Sequence, residues 1–210
     1  MAERLTAPGN DPSRDQIAAV AKHLVAGGVA VLPTDTIYGL HAVATDSDAI
    51  ERLFNAKKRP AHQPLVVLCA NLDQMRDLGV NADPRVLDAL MRLWPAPLTA
   101  IVSIAAPIAA SAGKNTLGVR IPAVGWLREL LAETSPLAST SVNVSGERAI
   151  YSTKEIPAEL LSSVDIVLDA GELHGDSSTL VDVTKDPPAV LREGGFFFTQ
   201  NLWKSVWKSL

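Results

Sequence analysis

The amino-acid sequence predicts an α/β fold in which one domain is built on a mixed sheet. Short apolar runs, typical of buried strands, alternate irregularly with segments whose apolar residues recur every three or four positions, which is typical of helices. Hydrophobic residues make up 47% of the 210 residues, enough for a full core. No stretch rich in proline, glycine and serine divides the chain. We therefore expect a flexible lead-in at 1–12, one domain at 13–195 and a C-terminal amphipathic helix at 196–210.

The predicted helices carry start and stop signals. Ser13 is a candidate N-cap with Gln16 as its capping-box partner, and Gly27 and Gly28 end the first helix. A second helix is expected from about Asp46 to Lys57. Further helices are predicted over 71–79, 83–94 and 124–133.

Eight apolar runs are predicted to be strands, and their irregular alternation with helices indicates a mixed sheet. They cover 29–33, 64–69, 98–104, 117–121, 136–143, 165–171, 178–184 and 189–193. The segment 34–40, which follows the first of them, is expected to be a polar turn.

The tail places five apolar residues on one helical stripe, namely Leu202, Trp203, Val206, Trp207 and Leu210. This stripe either docks on the domain or contacts a membrane or a partner. Docking is favoured because exposed tryptophans without a partner promote aggregation.

Composition limits the classes of function. The net charge of −4 gives no bulk attraction for nucleic acid, so any anion site has to be a local cluster of positive groups. Cys69 is the only cysteine, which excludes an intrachain disulfide. With no secretory apolar segment near Met1 and no apolar run of about 20 residues, we expect a cytoplasmic protein that does not contact a membrane.

Several familiar catalytic motifs are absent from the sequence. The stretch "SAGKNTLG" resembles a P-loop, but Ile108 stands where the first glycine is required and Asn115 where Ser or Thr is required. No G-x-G-x-x-G and no G-x-S-x-G occurs. The histidines show no zinc spacing, so no metal site made by protein side chains is predicted; they are His23, His41, His62 and His174.

Polar stretches instead lie at the ends of predicted strands, where α/β proteins bind ligands. Arg120 and Arg192 are flanked by apolar residues, where a lone guanidinium is unfavourable unless it meets an anion. Neutral hydrogen-bonding groups accompany them at Ser139, Ser141, Asn143, Ser145 and Ser178. The mixture suits a site for a nucleotide and a small acid, with catalysis by positioning and charge neutralisation.

Each stretch alone also has a purely structural interpretation. A strand arginine is often an ion-pair partner, and a serine-rich segment is often an ordinary turn. The basic triplet Lys57, Lys58 and Arg59 could simply be helix C-terminal charges that the helix dipole favours. Only the joint occurrence of the stretches argues for a site.

Taken in order, these stretches resemble the YrdC-like family of threonylcarbamoyl-AMP synthases, from about Ser13 to Gly195. The matching segments are "VLPTDTIYGLHAVATD", "AKKRP", "LWPAPLTAIV", "TSVNVSG" and "SSTLVD". The resemblance implies a short, single-domain member, in which a twisted α/β domain surrounds an open, positively charged cavity. It also implies a nucleotidyltransferase that makes threonylcarbamoyl-AMP and pyrophosphate from L-threonine, bicarbonate or CO₂, and ATP with Mg²⁺. A separate transferase would then modify tRNA, and weak direct binding of tRNA is compatible with this role.

The resemblance also implies roles for particular residues. The threonine contacts would be Thr36, Arg120, Ser139 and Ser178. The ATP contacts would be Lys57, Arg59, Gln63, Thr116, Ser141, Asn143 and Arg192. Lys57 and Arg59 would be the catalytic cations, Pro60 would end the helix so that they face the cavity, and Lys58 would face solvent.

The sequence departs from the family pattern at several positions. Lys58 replaces a glycine, Gln63 stands where the family often has asparagine, and Leu68 stands where a histidine is expected. Ala96 and Thr140 replace a glycine and a proline. Gln63 can still donate a hydrogen bond, whereas Leu68 cannot replace an imidazole.

Two other functions remain open at this point. The fold could serve as a non-catalytic module that binds tRNA or double-stranded RNA. It could also be a different carbamoyl-adenylate enzyme, like the related domain of hydrogenase-maturation proteins, although those carry cysteine-rich modules that this chain lacks.

Overall fold

The computed structural model describes residues 2–58, 60, 62–143 and 148–209. In that part of the chain ten strands form one sheet. The strands are β1 (Glu3–Thr6), β2 (Ala30–Leu32), β3 (Gly39–Val43), β4 (Val66–Leu68), β5 (Leu98–Ser103), β6 (Thr116–Arg120), β7 (Leu137–Ser141), β8 (Ile166–Asp169), β9 (Thr179–Asp182) and β10 (Ala189–Arg192). The α-helices are α1 (Arg14–Val25), α2 (Ser47–Lys57), α3 (Leu72–Asp77), α4 (Pro84–Leu93), α5 (Gly125–Thr134), α6 (Ala158–Leu161) and α7 (Gln200–Lys208).

The sheet is mixed, as the sequence predicts. Its strand order is β1-β8-β2-β3-β7-β4-β6-β5-β9-β10. The pairs β1–β8, β2–β8, β4–β6 and β5–β9 are parallel, and the other neighbours are antiparallel. Strands distant in sequence therefore lie side by side at the centre, which brings their ends together.

Each face of the sheet has its own apolar core, because alternate residues of a strand point to opposite faces. In β2, Leu32 packs with α1 and α5, whereas Val31 belongs to the larger core beneath α2, α3, α4 and α7. Helices α1 and α5 also contact each other. They cover only part of their face, since the cavity described below opens on the same side.

The ends of α1 and α2 follow from local side-chain chemistry. Ser13 and Gln16 form the predicted capping box at the start of α1. Asp46 caps α2 by accepting from two backbone N–H groups. At the other end of α2, Lys58 adopts a left-handed conformation with φ of 52°, which favours glycine. This conformation explains why a glycine at position 58 suits the family pattern.

Two expectations about the first 40 residues are wrong. Residues Glu3–Thr6 are part of the sheet and pair in parallel with β8, so this part of the lead-in is ordered. Its four residues are mostly exposed at a sheet edge and show no apolar pattern. The predicted turn at 34–40 is also too long, since β3 begins at Gly39. The sequence pattern did not reveal where β3 begins, because Gly39 is a residue type that is depleted in strands and His41 interrupts the apolar run.

The C-terminal tail docks on the domain. Helix α7 starts at Gln200, later than the predicted 196, because Thr199 caps it. Trp203 is buried in the larger core, with its ring centroid 6.0 Å from that of Phe198. The guanidinium of Arg85 lies 4.6 Å above the ring of Trp207. Leu210 lies outside the described residues. None of the helices in the described ranges combines the length and apolar character that crossing a bilayer requires.

Candidate active site

A cavity of about 200 Å³ opens between the middle of the sheet and two loops. The loop between β2 and β3 forms one side, and the segment that enters β9 forms another. The lining residues are Thr34, Thr36, Ile37, Tyr38, Gly39, Pro64, Leu65, Val66, Leu68, Arg120, Ser139, Thr140, Ser141, Ser177, Ser178 and Arg192. Six of the eleven site residues predicted from sequence are in this set, and the only ionised side chains among these lining residues are the two arginines.

Arg120 is the most constrained of these groups. It ends β6 with its side chain buried, and Nη2 donates to the carboxylate of Asp35. Nη1 donates to Oγ1 of Thr36 at 3.4 Å, and Asp35 accepts a second bond from the N–H of Ala123 at 3.1 Å. Burial lowers the pKa of Arg120, and the Asp35 carboxylate acts in the opposite direction. Asp35 therefore holds the guanidinium in place from behind the cavity wall.

One donor of Arg120 lacks an acceptor among the described residues. Its Nε is buried and has no hydrogen-bond partner in the described ranges. A buried donor without an acceptor is unfavourable by about 1–3 kcal/mol.

Arg192 lies on the far side of the cavity, at the end of β10. Its Nε and Nη2 donate to the carbonyl of Ser178 at 3.1 and 2.9 Å. The hydroxyl of Ser178 in turn lies 2.8 Å from that of Thr99. Burial lowers the pKa of Arg192, and the charge of Arg192 also lowers the pKa of Arg120. Two cations that repel each other across a cavity favour an anion between them.

Lys57 forms a second cluster next to the cavity. Its side chain leaves the last turn of α2 and is only 3% exposed. Nζ donates to the carbonyl and hydroxyl of Ser141 at 2.6 and 3.0 Å and to Oδ1 of Asn143 at 2.7 Å. All three acceptors are neutral. The predicted residues Lys57, Ser141 and Asn143 are thus brought into one network, and Ser141 also lines the cavity.

Lys58, the neighbour of Lys57, points elsewhere. Its ammonium pairs with Glu159 at 3.0 Å, and both side chains are well exposed. Exposed pairs of this kind contribute little to stability. The structure thus agrees with a role for Lys58 at the surface, although the side chain has an ionic partner.

The remaining predicted residues do not line the cavity or lie outside the described residues. Thr116 begins β6 and lies on the same face as Arg120, about 13 Å along the strand. The N–H of Gln63 bonds to the carbonyl of Pro60 at 3.0 Å. Arg59 and Ser145 lie outside the described residues.

Leu68 forms an apolar wall where the family pattern led us to expect an imidazole. It is 1% exposed, lines the cavity and pairs with Arg120 across β4 and β6. Leu65 and Val66 extend this wall. The departure from the family pattern therefore falls directly beside the buried arginine.

A histidine does lie close to the site, on β3, and sequence reasoning missed it. His41 is fully buried, and its imidazole fills the space where a side chain on Gly39 would be. Burial lowers its pKa to about 3, with a smaller contribution from the charge of Arg120. His41 is therefore neutral at physiological pH and adds no charge to the cavity.

Tyr38 fixes the segment that leads from β8 to β9. Its fully buried hydroxyl donates to the carbonyl of Gly171 and accepts from the N–H of Ala170, both at 2.8 Å. Burial is the main cause that raises its pKa to about 12. Further along, Gly175 passes so close to Thr36 that a Cβ at position 175 would lie 2.3 Å from the Thr36 carbonyl oxygen. The two loops around the cavity are therefore packed directly on each other.

A second, shallower cavity adjoins the first and shares Ile37 and Ser177 with it. Its volume is about 420 Å³, and its lining also includes Ala149, Tyr151, Asp176, Glu193 and Gly194. The small cavity has room for a compact acid, and a longer ligand could continue into this neighbouring space.

The fold and the site define a class of protein, namely an α/β domain with a small polar cavity whose lining includes two arginines. A family model of the Sua5, YciO and YrdC proteins, described as "Telomere recombination", matches residues 22–194. The chain belongs to this family.

Individual relatives support the assignment. The threonylcarbamoyl-AMP synthase of Pyrococcus abyssi is 33% identical over 184 residues, which are 86% of this chain and 54% of the relative. The crystal structure of P. abyssi Sua5 with L-threonine superposes with a TM-score of 0.83 at 30% identity, covering 93% of this chain and 58% of that one. E. coli YciO gives a TM-score of 0.84 at 25% identity, covering 95% and 99% of the two chains. The chain thus spans just over half the length of the P. abyssi protein.

Proposed function

We propose that this chain is a threonylcarbamoyl-AMP synthase, a nucleotidyltransferase that joins L-threonine, CO₂ or bicarbonate, and ATP. The observation that carries the proposal is the cavity of about 200 Å³ with Arg120 in its wall and the Lys57 network beside it. Such a volume suits an amino acid, while the buried cations suit a carboxylate and a polyphosphate.

The threonine site would lie around Arg120. The α-carboxylate would meet the guanidinium, whose Nε lies buried without a partner among the described residues. Thr36, Ser139 and Ser178 supply neutral hydroxyl or backbone groups around the same space. The P. abyssi Sua5 structure with L-threonine supports the choice of amino acid.

ATP would extend from this cavity towards Lys57. Ser141, Asn143 and Arg192 lie along that path, and we propose that Arg59, Gln63 and Thr116 complete the nucleotide contacts. Lys57 would exchange at least one of its contacts with Ser141 and Asn143 for a phosphate oxygen, because an ammonium forms its strongest hydrogen bonds with anionic acceptors.

Attack on the α-phosphorus requires no dedicated protein base, because the attacking carbamate is already an anion. The threonine amine adds to CO₂ and loses a proton, giving a carbamate. A carbamate oxygen then attacks the α-phosphorus, the bond between that phosphorus and the bridging oxygen breaks, and pyrophosphate leaves. Lys57 and Arg59 would stabilise the charge that accumulates on the departing phosphates.

Mg²⁺ would enter with ATP. In the described ranges no group of three or more His, Cys, Asp or Glu side chains could hold a metal ion, and the residues that line the small cavity include no carboxylate. These residues do not fit a metal ion held by the protein. We therefore propose that the ion is coordinated by the phosphates of ATP.

The product is a reactive mixed anhydride, so a partner should consume it quickly. We propose that a separate transferase passes the threonylcarbamoyl group to tRNA, and that the chain works in the cytoplasm. The alternative is a module that binds tRNA or double-stranded RNA without chemistry. E. coli YciO is similar in fold and length to this chain.

The first test is pyrophosphate release from ATP with L-threonine and bicarbonate, and with each omitted in turn. We expect release only when both are present. Lys57→Ala should lower the rate at least about 100-fold, because the cation that stabilises the charge on the departing pyrophosphate is lost. Lys58→Ala, which removes the adjacent exposed lysine, is the matched control and should keep the wild-type rate.

Two results would contradict the proposal. Equal rates for the two lysine variants would exclude Lys57 from the chemistry. No release by the wild-type chain, together with salt-sensitive RNA binding, would favour the module that binds RNA without turnover.

A further inference from the structure

The cavity has two chemically different walls. Hydroxyl groups and the two arginines form one of them, with Thr36, Ser139 and Ser178 among its members. The other wall is aliphatic and consists of Leu65, Val66 and Leu68, with Ile37 at its rim. The two sets lie side by side in the sheet, since Val66 pairs with Ser139 and Leu68 pairs with Arg120, so a ligand that contacts both sets has to present polar atoms and carbon next to each other.

Leu68 stands closest to the buried arginine on the aliphatic side. Leu68 and Arg120 are direct partners across the parallel strands β4 and β6. Their backbones are therefore about 4.8 Å apart, and their side chains lie on the same face of the sheet. Leu137, the partner of Leu68 on β7, belongs to the same apolar core and holds Leu68 from the other side.

This placement fixes which part of an amino acid meets Leu68. If Arg120 binds the α-carboxylate, the α-carbon and its side chain lie within one side-chain width of that guanidinium. The isobutyl group of Leu68 lies next to this position. Because Leu68 is only 1% exposed, its side chain has little freedom to move away from the ligand. It cannot donate or accept a hydrogen bond, so it can only contact an aliphatic group favourably.

We infer that Leu68 is a specificity-determining residue, which receives the β-methyl group of threonine and so selects threonine over serine. The inference rests on the proposed function. The hydroxyl wall serves the β-hydroxyl group, and the aliphatic wall serves the methyl group that distinguishes the two amino acids. Recognition of the methyl group thus occurs at a position where the family pattern has a histidine.

The size of the effect follows from the loss of one methyl contact. A methyl or methylene group in an apolar pocket changes kcat/KM by about 10-fold to 200-fold. Leu68→Ala removes most of the aliphatic surface beside Arg120. We expect it to lower the threonine-to-serine ratio of kcat/KM by about tenfold or more.

The experiment measures kcat/KM for L-threonine and for L-serine with the same preparation of each variant. Their ratio does not depend on the fraction of folded enzyme, so a loss of stability alone leaves it unchanged. Leu68→Val, a smaller truncation, provides a second variant if Leu68→Ala does not fold, and should shift the ratio in the same direction.

Leu137→Ala is the matched control. Leu137 is fully buried in the same core and is paired with Leu68, but it does not line the cavity. We expect the threonine-to-serine ratio of kcat/KM for this variant to stay within about twofold of the wild-type value, because the side chain of Leu137 packs in the core and not against the ligand.

The outcomes separate the two proposals. If the wild-type chain does not use threonine, the proposed function fails and this inference falls with it. If the wild-type chain uses threonine and both Leu68 variants keep the wild-type ratio, the proposed function stands and the role of Leu68 is wrong. A shift in the Leu68 variants without a shift in Leu137→Ala supports the inference.

Discussion

At the scale of single residues, the arrangement around Arg120 depends on a carboxylate that the sequence does not single out. Asp35 and Arg120 are separated by 85 positions, and their side chains are 9% and 5% exposed. No local pattern in the sequence pairs Asp35 with Arg120. The apolar residues on either side of Arg120 predicted that its guanidinium needs an anionic partner. In the structure the carboxylate of Asp35 is such a partner.

Replacing Asp35 by alanine should be costly. The change leaves the buried guanidinium without its countercharge, so we expect the free energy of unfolding to fall by about 3–5 kcal/mol. Chemical denaturation measures this difference. Asp73→Ala breaks the exposed pair with Arg76 and should change stability by less than about 1 kcal/mol. Similar losses in the two variants would mean that Asp35 does not stabilise Arg120.

Other residues of the site could be predicted because their chemistry is unusual for their surroundings. Arg120 and Arg192 stand in apolar strands, and hydroxyl residues cluster at the end of β7. His41 and Tyr38 escaped prediction because a lone histidine or tyrosine in an apolar run most often belongs to the core. Their contribution becomes visible only when the register of β3 places them beside the cavity.

At the scale of elements, helices with local start signals were predictable and edge elements were not. Ser13 and Gln16 define the start of α1 within four residues of sequence. By contrast, β1 exists only because β8 offers it a partner. Its mostly exposed residues carry no apolar alternation, so no local signal could have identified it.

The two loops around the cavity also form a unit that sequence patterns do not reveal. Gly175 packs against the backbone of Thr36, which leaves no space for a Cβ. We expect Gly175→Ala to separate the loops and lower threonine-dependent pyrophosphate release at least about tenfold, because misplacement of site residues by an ångström costs this much or more.

The matched control for Gly175 is Gly125→Ala. A Cβ at Gly125 would meet nothing within 4 Å, so its activity should equal that of wild type. Thermal unfolding of both variants shows whether the loss in Gly175→Ala is local. Full activity in Gly175→Ala would show that the contact between the loops is not required.

At the scale of the whole molecule, the cavity and the C-terminal helix belong to different regions. Helix α7 packs on α4 through Trp203 and Trp207, and none of its residues lines the cavity. The amphipathic stripe predicted that α7 docks on the domain. The sequence alone did not predict that the docking surface is α4, because that surface forms only when the chain is folded.

Trp203→Ala should therefore separate stability from function. Removing a buried indole costs about 3–5 kcal/mol, which should lower the unfolding midpoint in urea. The threonine-to-serine ratio of kcat/KM should stay at the wild-type value. Lys204→Ala, an exposed change on the same helix, should alter neither quantity by much. A change in the ratio for Trp203→Ala would reveal coupling between α7 and the cavity.

The edge position of β1 also has a consequence for how the chain folds during synthesis. Glu3 pairs with Ile166, so β1 leaves the ribosome long before its partner strand exists. At about 5–20 residues per second the delay is roughly 10–30 seconds. During that time β1 has no strand to pair with, so it can join the sheet only after β8 has been synthesised.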